Sequence, residues 1–276
     1  MHERLVPGLY IVATPIGNLS DLSPRAASVL ASADLIAVED SRVTARLLAH
    51  VGTKRPMVAY HDHNADQVRP SLIARMADQA VALVSDAGTP LISDPGYKLV
   101  RDARAAGRNV VSIPGPCAAV AALTLAGLPT DRFFFLGFLP AKAAARKAAL
   151  EEVKSVRATL IVYESAARLG ATLAALADSL GNRDAAVARE ISKKFEETIT
   201  GSLGDLAQRY AESPPKGEIV IVIGPPAEAA PASDTQLDEA LREAMRSMSA
   251  SRAAAHVAEA LGLPRRRVYD RAMALK

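Results

Sequence analysis

The sequence contains very little cysteine and no apolar stretch of membrane-spanning length. Cys117 is its one cysteine, so no disulfide can form within the chain. Its small neighbours favour a small buried side chain over a nucleophile. The longest weakly polar stretch, 117–128, is well short of the roughly 20 residues that a bilayer requires. Because the N-terminus also lacks the pattern of a signal peptide, we expect a soluble, cytoplasmic protein without membrane association.

Signatures of several common catalytic sites are missing as well. There is no G-x-x-x-x-G-K-[ST] and no G-x-G-x-x-G after the first predicted strand, which argues against a nucleotide held by its phosphates. The absence of G-x-S-x-G argues against a Ser-His-Asp hydrolase. His61, Asp62 and His63 resemble metal ligands, but adjacent residues of a strand point to opposite sides and no further Cys or His pattern completes the set. We therefore expect no metal.

Charge is nearly balanced over the whole chain but uneven along it. The net charge is +3, from 33 basic and 30 acidic side chains. Segment 242–276 contains eight basic and three acidic side chains, so it carries +5 and the rest of the chain −2. A basic C-terminal segment is typical of proteins that bind nucleic acid.

Apolar runs of strand length alternate with segments compatible with helices, which is typical of an α/β protein. The first five runs are 9–13, 35–38, 58–60, 81–84 and 110–113. They predict a mostly parallel sheet, and Ser23 followed by Pro24 marks the start of the first helix. The next five are 133–137, 160–163, 185–188, 197–200 and 219–223. Because no long helix precedes 197–200, we expect the second sheet to be mixed or largely antiparallel.

These patterns predict two α/β domains and a small helical module. The domains run over 1–116 and 117–226, and the Pro- and Ala-rich segment 227–233 has the composition of a linker. In segment 234–276 we expect helices over 251–261 and 265–275, joined at a glycine. This helix-turn-helix-like arrangement puts three candidate RNA-binding residues at the start of its second helix. They are Arg265, Arg266 and Arg267.

Three loops rich in Gly, Pro, Asp and Thr follow predicted strands of the first sheet. They are 14–19, 85–96 and 114–118. Ligands of open α/β folds bind at the carboxyl ends of the strands, so these loops predict one shared pocket. Gly88 permits close backbone approach, and Asp86 and Asp94 supply anionic oxygens. Such a pocket suits a nucleoside with a positive charge.

Further polar groups lie at predicted strand ends, where either a functional or a plain surface role is possible. Segments 39–42 and 61–64 follow the second and third strands. Lys142 and Arg146, beyond the motif 138–140, either contact phosphates or belong to the solvated surface.

Taken together, the motifs at 14–19, 39–42, 85–96, 114–118 and 138–140 resemble those of the ribosomal RNA small subunit methyltransferase I family, within the tetrapyrrole-methylase-like superfamily. The resemblance covers nearly the whole chain. It implies a two-domain homodimer with a cleft for S-adenosylmethionine between the domains. The implied reaction is 2′-O-methylation of a cytidine ribose in the decoding region of 16S ribosomal RNA, on the RNA or on the small subunit.

The resemblance also implies which residues hold the cofactor. The cofactor-binding residues expected from it and from the pocket motifs are Pro15, Asp86, Ala87, Gly88, Thr89, Ile92, Cys117, Ala118, Tyr163, Glu164, Arg189, Glu190 and Gly217. The sequence departs from the family at Ala166 and Ala167, where members often carry Pro-His.

A ribose hydroxyl is a weak nucleophile, so it must be aligned about 3 Å from the methyl carbon, and a base for its proton assists. We expect Asp40 or His61 as that base and Arg42 as a phosphate ligand. Two other classes remain open. A tetrapyrrole C-methyltransferase shares the architecture, and a non-catalytic regulator would sense a nucleoside and bind DNA through the basic C-terminal segment.

Overall fold

A computed structural model describes residues 4–211, 215–227 and 233–275. Contacts divide the chain into two compact units, Met1–Pro226 and Ala227–Lys276. The larger unit contains both predicted sheets, and the smaller one contains helices alone within the part that the structure describes.

The first sheet is parallel throughout, as predicted. Its strands are β1 (Gly8–Val12), β2 (Leu35–Val38), β3 (Met57–Ala59), β4 (Ala80–Val84) and β5 (Val110–Ile113). Their order is β3-β2-β4-β1-β5. Every residue of β2 and β4 is buried, which is typical of strands covered on both faces. The continuous apolar runs of the sequence reflect this double burial.

Helices cover both faces of the first sheet. They are α1 (Pro24–Ser32), α2 (Ser41–Val51), α3 (Ala65–Arg75) and α4 (Tyr97–Ala105). The first two pack on one face and the last two on the other. The predicted start of α1 is confirmed: the Ala26 amide donates to Ser23 Oγ at 3.0 Å, and Pro24 is the first helical residue, where a proline loses no hydrogen bond.

The second sheet is mixed, as predicted. Its strands are β6 (Phe133–Phe138), β7 (Thr159–Ser165), β8 (Asp184–Arg189), β9 (Glu197–Ser202) and β10 (Glu218–Ile223). Their order is β6-β7-β10-β8-β9, and β6 is parallel to β7 while the other pairs are antiparallel.

Helix α5 (Ala118–Leu125) connects the two sheets in sequence and packs on one face of the second. The opposite face is covered by α6 (Ala143–Val153), α7 (Leu169–Leu180) and α8 (Leu203–Tyr210). Because α5 follows β5 closely, its N-terminus at Cys117 lies where the carboxyl ends of the first sheet meet the second sheet. This junction forms the site described below.

The smaller unit consists of α9 (Asp234–Met245), α10 (Ala250–Leu261) and α11 (Arg265–Ala274). The two helices predicted for this segment are confirmed as α10 and α11, with Val257 and Val268 in a small apolar core. Arg271 Nε donates to Asp238 Oδ1 at 2.6 Å, joining α11 to α9. Most of the predicted linker, 228–232, lies outside the described residues. Among the described helices, none is both long and apolar enough to cross a membrane.

Candidate functional site

The three motif loops at the carboxyl end of the first sheet are held together by hydrogen bonds. Thr14 and Gly88 exchange backbone hydrogen bonds of 2.8 and 3.1 Å. Thr89 Oγ1 donates to the Pro116 carbonyl at 2.9 Å. The Asp40 amide donates to Asp86 Oδ1 at 3.0 Å, which ties the end of β2 to the end of β4. The convergence predicted from the sequence is therefore present.

A cavity of about 500 Å³ lies where these loops face the second sheet. This volume is within the usual range for small-molecule sites. The predicted cofactor residues that line it are Asp86, Ala87, Gly88, Thr89, Ile92, Cys117, Ala118, Tyr163, Glu164 and Gly217. Both sheets thus contribute to one lining.

The charged side chains in the lining share one sign. Among the described residues that form it, every charged group is a carboxylate, and these are Glu39, Asp86, Asp94, Glu164 and Glu218. Carboxylates attract a cation and repel a phosphate. The cavity therefore suits a positively charged ligand without phosphate groups.

Two of these carboxylates have pKa values above the ordinary range. Burial is the main cause of the raised pKa of Glu39, and the negative charges of Asp94 and Asp86 add to it. The pKa of Asp94 is raised by burial and by Asp86 and Asp62, against a hydrogen bond from Ser85 that lowers it. Like charges near one another disfavour ionisation of each. Ionising this group of carboxylates therefore costs stability.

The raised pKa of Glu39 predicts a pH-dependent gain from the neutral isostere Glu39→Gln. A carboxyl whose pKa is higher in the folded state destabilises the protein above that pKa and not below the unfolded value. Because Glu39 is only partly buried, we expect a gain of about 0.5 kcal/mol at pH 8, or roughly 1–2 °C in the thermal midpoint. The gain should disappear near pH 4. Thermal denaturation at both pH values measures it, and a larger gain at the acidic pH would contradict the assignment.

Tyr163 anchors the second-sheet side of the cavity. The Ala119 amide donates to Tyr163 Oη at 3.1 Å, which fixes the first turn of α5. The ring packs edge-on against Phe135 and Phe138, with centroid separations of 4.9 and 5.6 Å. Burial raises the pKa of Tyr163, so the phenol stays neutral and serves as a fixed polar contact.

Glu164 is the most deeply buried carboxylate of the lining. Thr172 Oγ1 donates to Glu164 Oε2 at 2.6 Å, and the Ser165 amide donates to Oε1 at 2.7 Å. Arg168 lies 3.2 Å from Oε2 and also donates to the Leu139 carbonyl at 2.8 Å. Buried charges require such partners. The network fixes the end of β7 and the turn that carries Ala166.

The loop between β8 and β9 supports the turn at Gly217, which forms another part of the cavity lining. Lys193 Nζ lies 2.9 Å from Glu190 Oε1 and 3.0 Å from Glu218 Oε2. The Glu218 amide donates to the same Glu190 oxygen at 3.0 Å. Gly217 has φ +101°, and a Cβ there would lie 2.3 Å from Glu190 Oε1. The turn at Gly217 can approach the cavity only because this position is a glycine.

Backbone strain concentrates in the two loops that meet at the cavity. Among the described residues other than glycine, the left-handed ones are Leu91, Ser93, Glu190 and Ser192. Each such conformation costs of order 1–3 kcal/mol and persists where the surroundings enforce it. Ser192 Oγ also donates to Asp21 of the first-sheet side. This distribution of strain is typical of a functional site.

Three expected cofactor residues lie outside the lining. Pro15 precedes the lining residue Ile16. Arg189 donates to Glu197 and to the Lys216 carbonyl, and Glu190 accepts from Lys193. The side chains of Arg189 and Glu190 thus support the turn at Gly217 without lining the cavity.

The three expected catalytic residues also lie outside the lining. Arg42 binds Asp40 through two nitrogens, with a shortest distance of 2.6 Å, and these hydrogen bonds lower the pKa of Asp40 to about 2. This pairing makes Asp40 a weak base and occupies the guanidinium expected to hold a phosphate. The imidazole of His61 has a buried Nδ1 without a hydrogen-bond partner among the described residues. No group of three metal-ligating side chains occurs among the residues that the structure describes.

Several lining residues received no individual role from the sequence, although Glu39 belongs to segment 39–42, where a functional role was possible. Glu39, next to Asp40, is the member of its motif that lines the cavity. Ile191, Ile219 and Val220 also line it, but apolar residues in or beside a strand look like ordinary core. Of the expected RNA-binding residues, Lys142 and Arg265–Arg267 are exposed and Arg146 is half-buried.

Comparison with known proteins gives consistent results for both units. A family model described as Tetrapyrrole (Corrin/Porphyrin) Methylases matches residues 8–207, and one described as RsmI C-terminal HTH domain matches 231–276. A relative from Erythrobacter litoralis, named ribosomal RNA small subunit methyltransferase I, is 53% identical over 99% of this chain and 97% of its own. A relative of the same name from Mesorhizobium japonicum is 50% identical over 99% and 93%.

A solved structure shares the fold at lower identity. Uroporphyrin-III C-methyltransferase from Thermus thermophilus, complexed with S-adenyl homocysteine, superimposes with a TM-score of 0.55 at 20% identity. The match covers 79% of this chain and 97% of that one. This likeness extends to the architecture of the two sheets.

Proposed function

The chain belongs to the ribosomal RNA small subunit methyltransferase I family, within the tetrapyrrole methylases, and on this premise we propose that it methylates the 2′-oxygen of a cytidine ribose in the decoding region of 16S ribosomal RNA. S-adenosylmethionine is the proposed methyl donor. The proposal includes a homodimer in the cytoplasm. The observation that carries it is the carboxylate-lined cavity at the carboxyl ends of a parallel sheet.

The chemistry of the lining fits S-adenosylmethionine. That molecule carries a sulfonium and an ammonium group, a ribose and an adenine, and no phosphate. Asp86, Asp94 and Glu39 would hold its positive groups or ribose hydroxyls, and Tyr163 and Ile92 would contact its uncharged parts. Since the charged lining groups among the described residues are all carboxylates, a phosphorylated cofactor is disfavoured.

The residues of the chain have two tasks in the proposed reaction. Bound S-adenosylmethionine supplies an electrophilic methyl group. The cavity must align the ribose hydroxyl for in-line attack on the methyl carbon. This alignment is the main contribution to catalysis, because the positive charge of the sulfonium disappears during transfer. Carboxylates that stabilised that charge strongly would slow the reaction. Whichever of Glu39 and Asp94 is not paired with the cofactor would accept the single hydroxyl proton, since a base works best with a pKa raised toward neutrality. They replace Asp40 and His61 in this role.

RNA must be held from outside the cavity, because the carboxylates of the lining repel its phosphates. Lys142 is exposed shortly after Phe138, whose side chain lines the cavity. We propose Lys142 and Arg146 as phosphate contacts. In the smaller unit, Arg265, Arg266 and Arg267 begin α11 and are exposed, so they are proposed as further phosphate contacts.

The test is methyl transfer to small ribosomal subunits from a strain that lacks the gene for this protein. With labelled S-adenosylmethionine we expect label in 16S RNA, and mass spectrometry should place the methyl group on a cytidine ribose. Incubation with a porphyrinoid serves as the matched control. Labelled porphyrinoid with unlabelled RNA would favour tetrapyrrole C-methylation, and salt-dependent duplex binding without any transfer would favour a regulator.

A further inference from the structure

A β-bulge in the edge strand β6 decides the direction of the Phe138 side chain. Phe135 pairs with Ile161 of β7, but the register then shifts, and Phe138 pairs with Tyr163. Without the extra residue, Gly137 would lie opposite Tyr163, and Phe138 would point to the other face of the sheet. Gly137 has φ +64°, a conformation that a glycine adopts without strain. The bulge therefore directs Phe138 to the cavity.

Phe138 is held in place but remains open to solvent. Its ring makes an edge contact with Tyr163 at 5.6 Å and an interplanar angle of 66°. Tyr163 is itself fixed by the Ala119 amide and by Phe135. Even so, Phe138 is 60% exposed while lining the cavity. An exposed, rigid aromatic ring at a cavity is unusual for a core residue and typical of a binding surface.

The chemistry around Phe138 indicates what its ring would contact. Within the described lining, the charged groups are carboxylates, so this region attracts no phosphate, whereas Lys142 is exposed four residues after Phe138. An uncharged aromatic ring next to a basic segment is the usual platform for an unstacked nucleobase. A nucleotide whose ribose enters an enclosed site must leave its base stack.

We propose that Phe138 is the platform on which the base of the target nucleotide stacks, and thereby a positioning residue for the ribose. This inference rests on the proposed function, because it requires an RNA substrate. Stacking on Phe138 would replace the neighbouring bases lost when the nucleotide leaves its RNA stack. It would also limit rotation of the ribose and keep its 2′-hydroxyl directed into the cavity.

The first test compares Phe138→Ala and Phe138→Tyr with Phe133→Ala. Phe133 lies on the same strand before the bulge, is 50% exposed and does not line the cavity. Base stacking is worth about 1–3 kcal/mol, so we expect Phe138→Ala to lower kcat/KM for small subunits by roughly five- to 150-fold. Phe138→Tyr should retain activity, and Phe133→Ala should match the unchanged protein. Calorimetric affinity for S-adenosylmethionine should stay within about twofold in all three.

The second test uses fluorescence, because the chain contains no tryptophan. Phe138→Trp creates a single reporter at the platform, and Phe133→Trp places the same reporter before the bulge. Stacking of a base on the indole should quench the Phe138→Trp emission when small subunits lacking the methyl group are added. The Phe133→Trp emission should not change. S-adenosylhomocysteine alone should leave both signals unchanged.

Each outcome separates this inference from the proposed function. Suppose that the unchanged protein methylates 16S RNA, Phe138→Ala is equally active and Phe138→Trp is not quenched. The proposal that a base stacks on Phe138 is then wrong, and the proposed function remains supported. Quenching by S-adenosylhomocysteine without RNA, together with weaker cofactor binding by Phe138→Ala, would assign the ring to the cofactor and overturn the proposal. If the unchanged protein transfers no methyl group to RNA, the proposed function itself fails.

Discussion

Replacing Gly217 by valine is expected to weaken S-adenosylmethionine binding and methyl transfer more than about a hundredfold. The position has φ +101°, which strains a β-branched residue, and its Cβ would lie 2.3 Å from Glu190 Oε1. Glu190 cannot easily move, because it accepts hydrogen bonds from Lys193 and from the Glu218 amide. The turn must therefore shift away from the cavity. Titration calorimetry with S-adenosylmethionine measures the loss.

Gly107→Val is the matched control for this change. Gly107 has a similar left-handed backbone, with φ +68°, but beyond its chain neighbours no atom of the described residues lies within 4 Å of an added Cβ, and the residue does not line the cavity. It shares the strain, of order 1–3 kcal/mol, without the collision. We expect a modest loss of stability and unchanged cofactor affinity. Equal loss of affinity in both variants would show that general destabilisation, and not the wall at Gly217, is responsible.

Replacing Glu164 by alanine is expected to lower the free energy of unfolding by about 3–6 kcal/mol, because it removes two hydrogen bonds to a charged group, which contribute about 1.5–3 kcal/mol each. Glu164 is 3% exposed and accepts from Thr172 and from the Ser165 amide. Its loss leaves both donors without their partner in a buried region. Urea denaturation followed by circular dichroism measures the change.

Two further variants define the origin of that loss. Thr172→Val keeps the shape of a fully buried side chain and removes one donor to a charged group, so we expect a loss of about 1.5–3 kcal/mol. Glu151→Ala removes an exposed carboxylate paired with Lys154 at 3.5 Å, and such surface pairs contribute about 0–1 kcal/mol. If Glu164→Ala were as mild as Glu151→Ala, the buried network would not stabilise the end of β7.

The strands and their packing follow closely from local sequence patterns. The run Val81–Val84 predicts a strand buried on both faces, and β4 is such a strand. Ser23 and Pro24 locate the start of α1 because capping depends on neighbouring residues alone. The loop 85–96 is placed correctly at the cavity for a related reason: parallel strands must end at one edge, and turn residues reveal where they end.

The orientation of individual side chains does not follow from the same patterns. Asp40 and Glu39 are neighbours at one strand end, yet Glu39 lines the cavity while Asp40 binds Arg42. Arg189 and Glu190 belong to a charged cluster that lies at the right strand end, but their side chains support the turn from behind. Ala166 lines the cavity, whereas its neighbour Ala167 does not.

The amino-acid order alone was sufficient for the α/β class, the two kinds of sheet, the helical C-terminal segment and the meeting of three loops, since each depends on periodicity, capping or turn chemistry within a few residues. Folding in three dimensions was needed to select Glu39 over Asp40, to bury Glu164 against Thr172, and to turn Phe138 toward the cavity through a one-residue bulge. These features depend on contacts between residues far apart in the chain or on strand register, and neither leaves a local pattern.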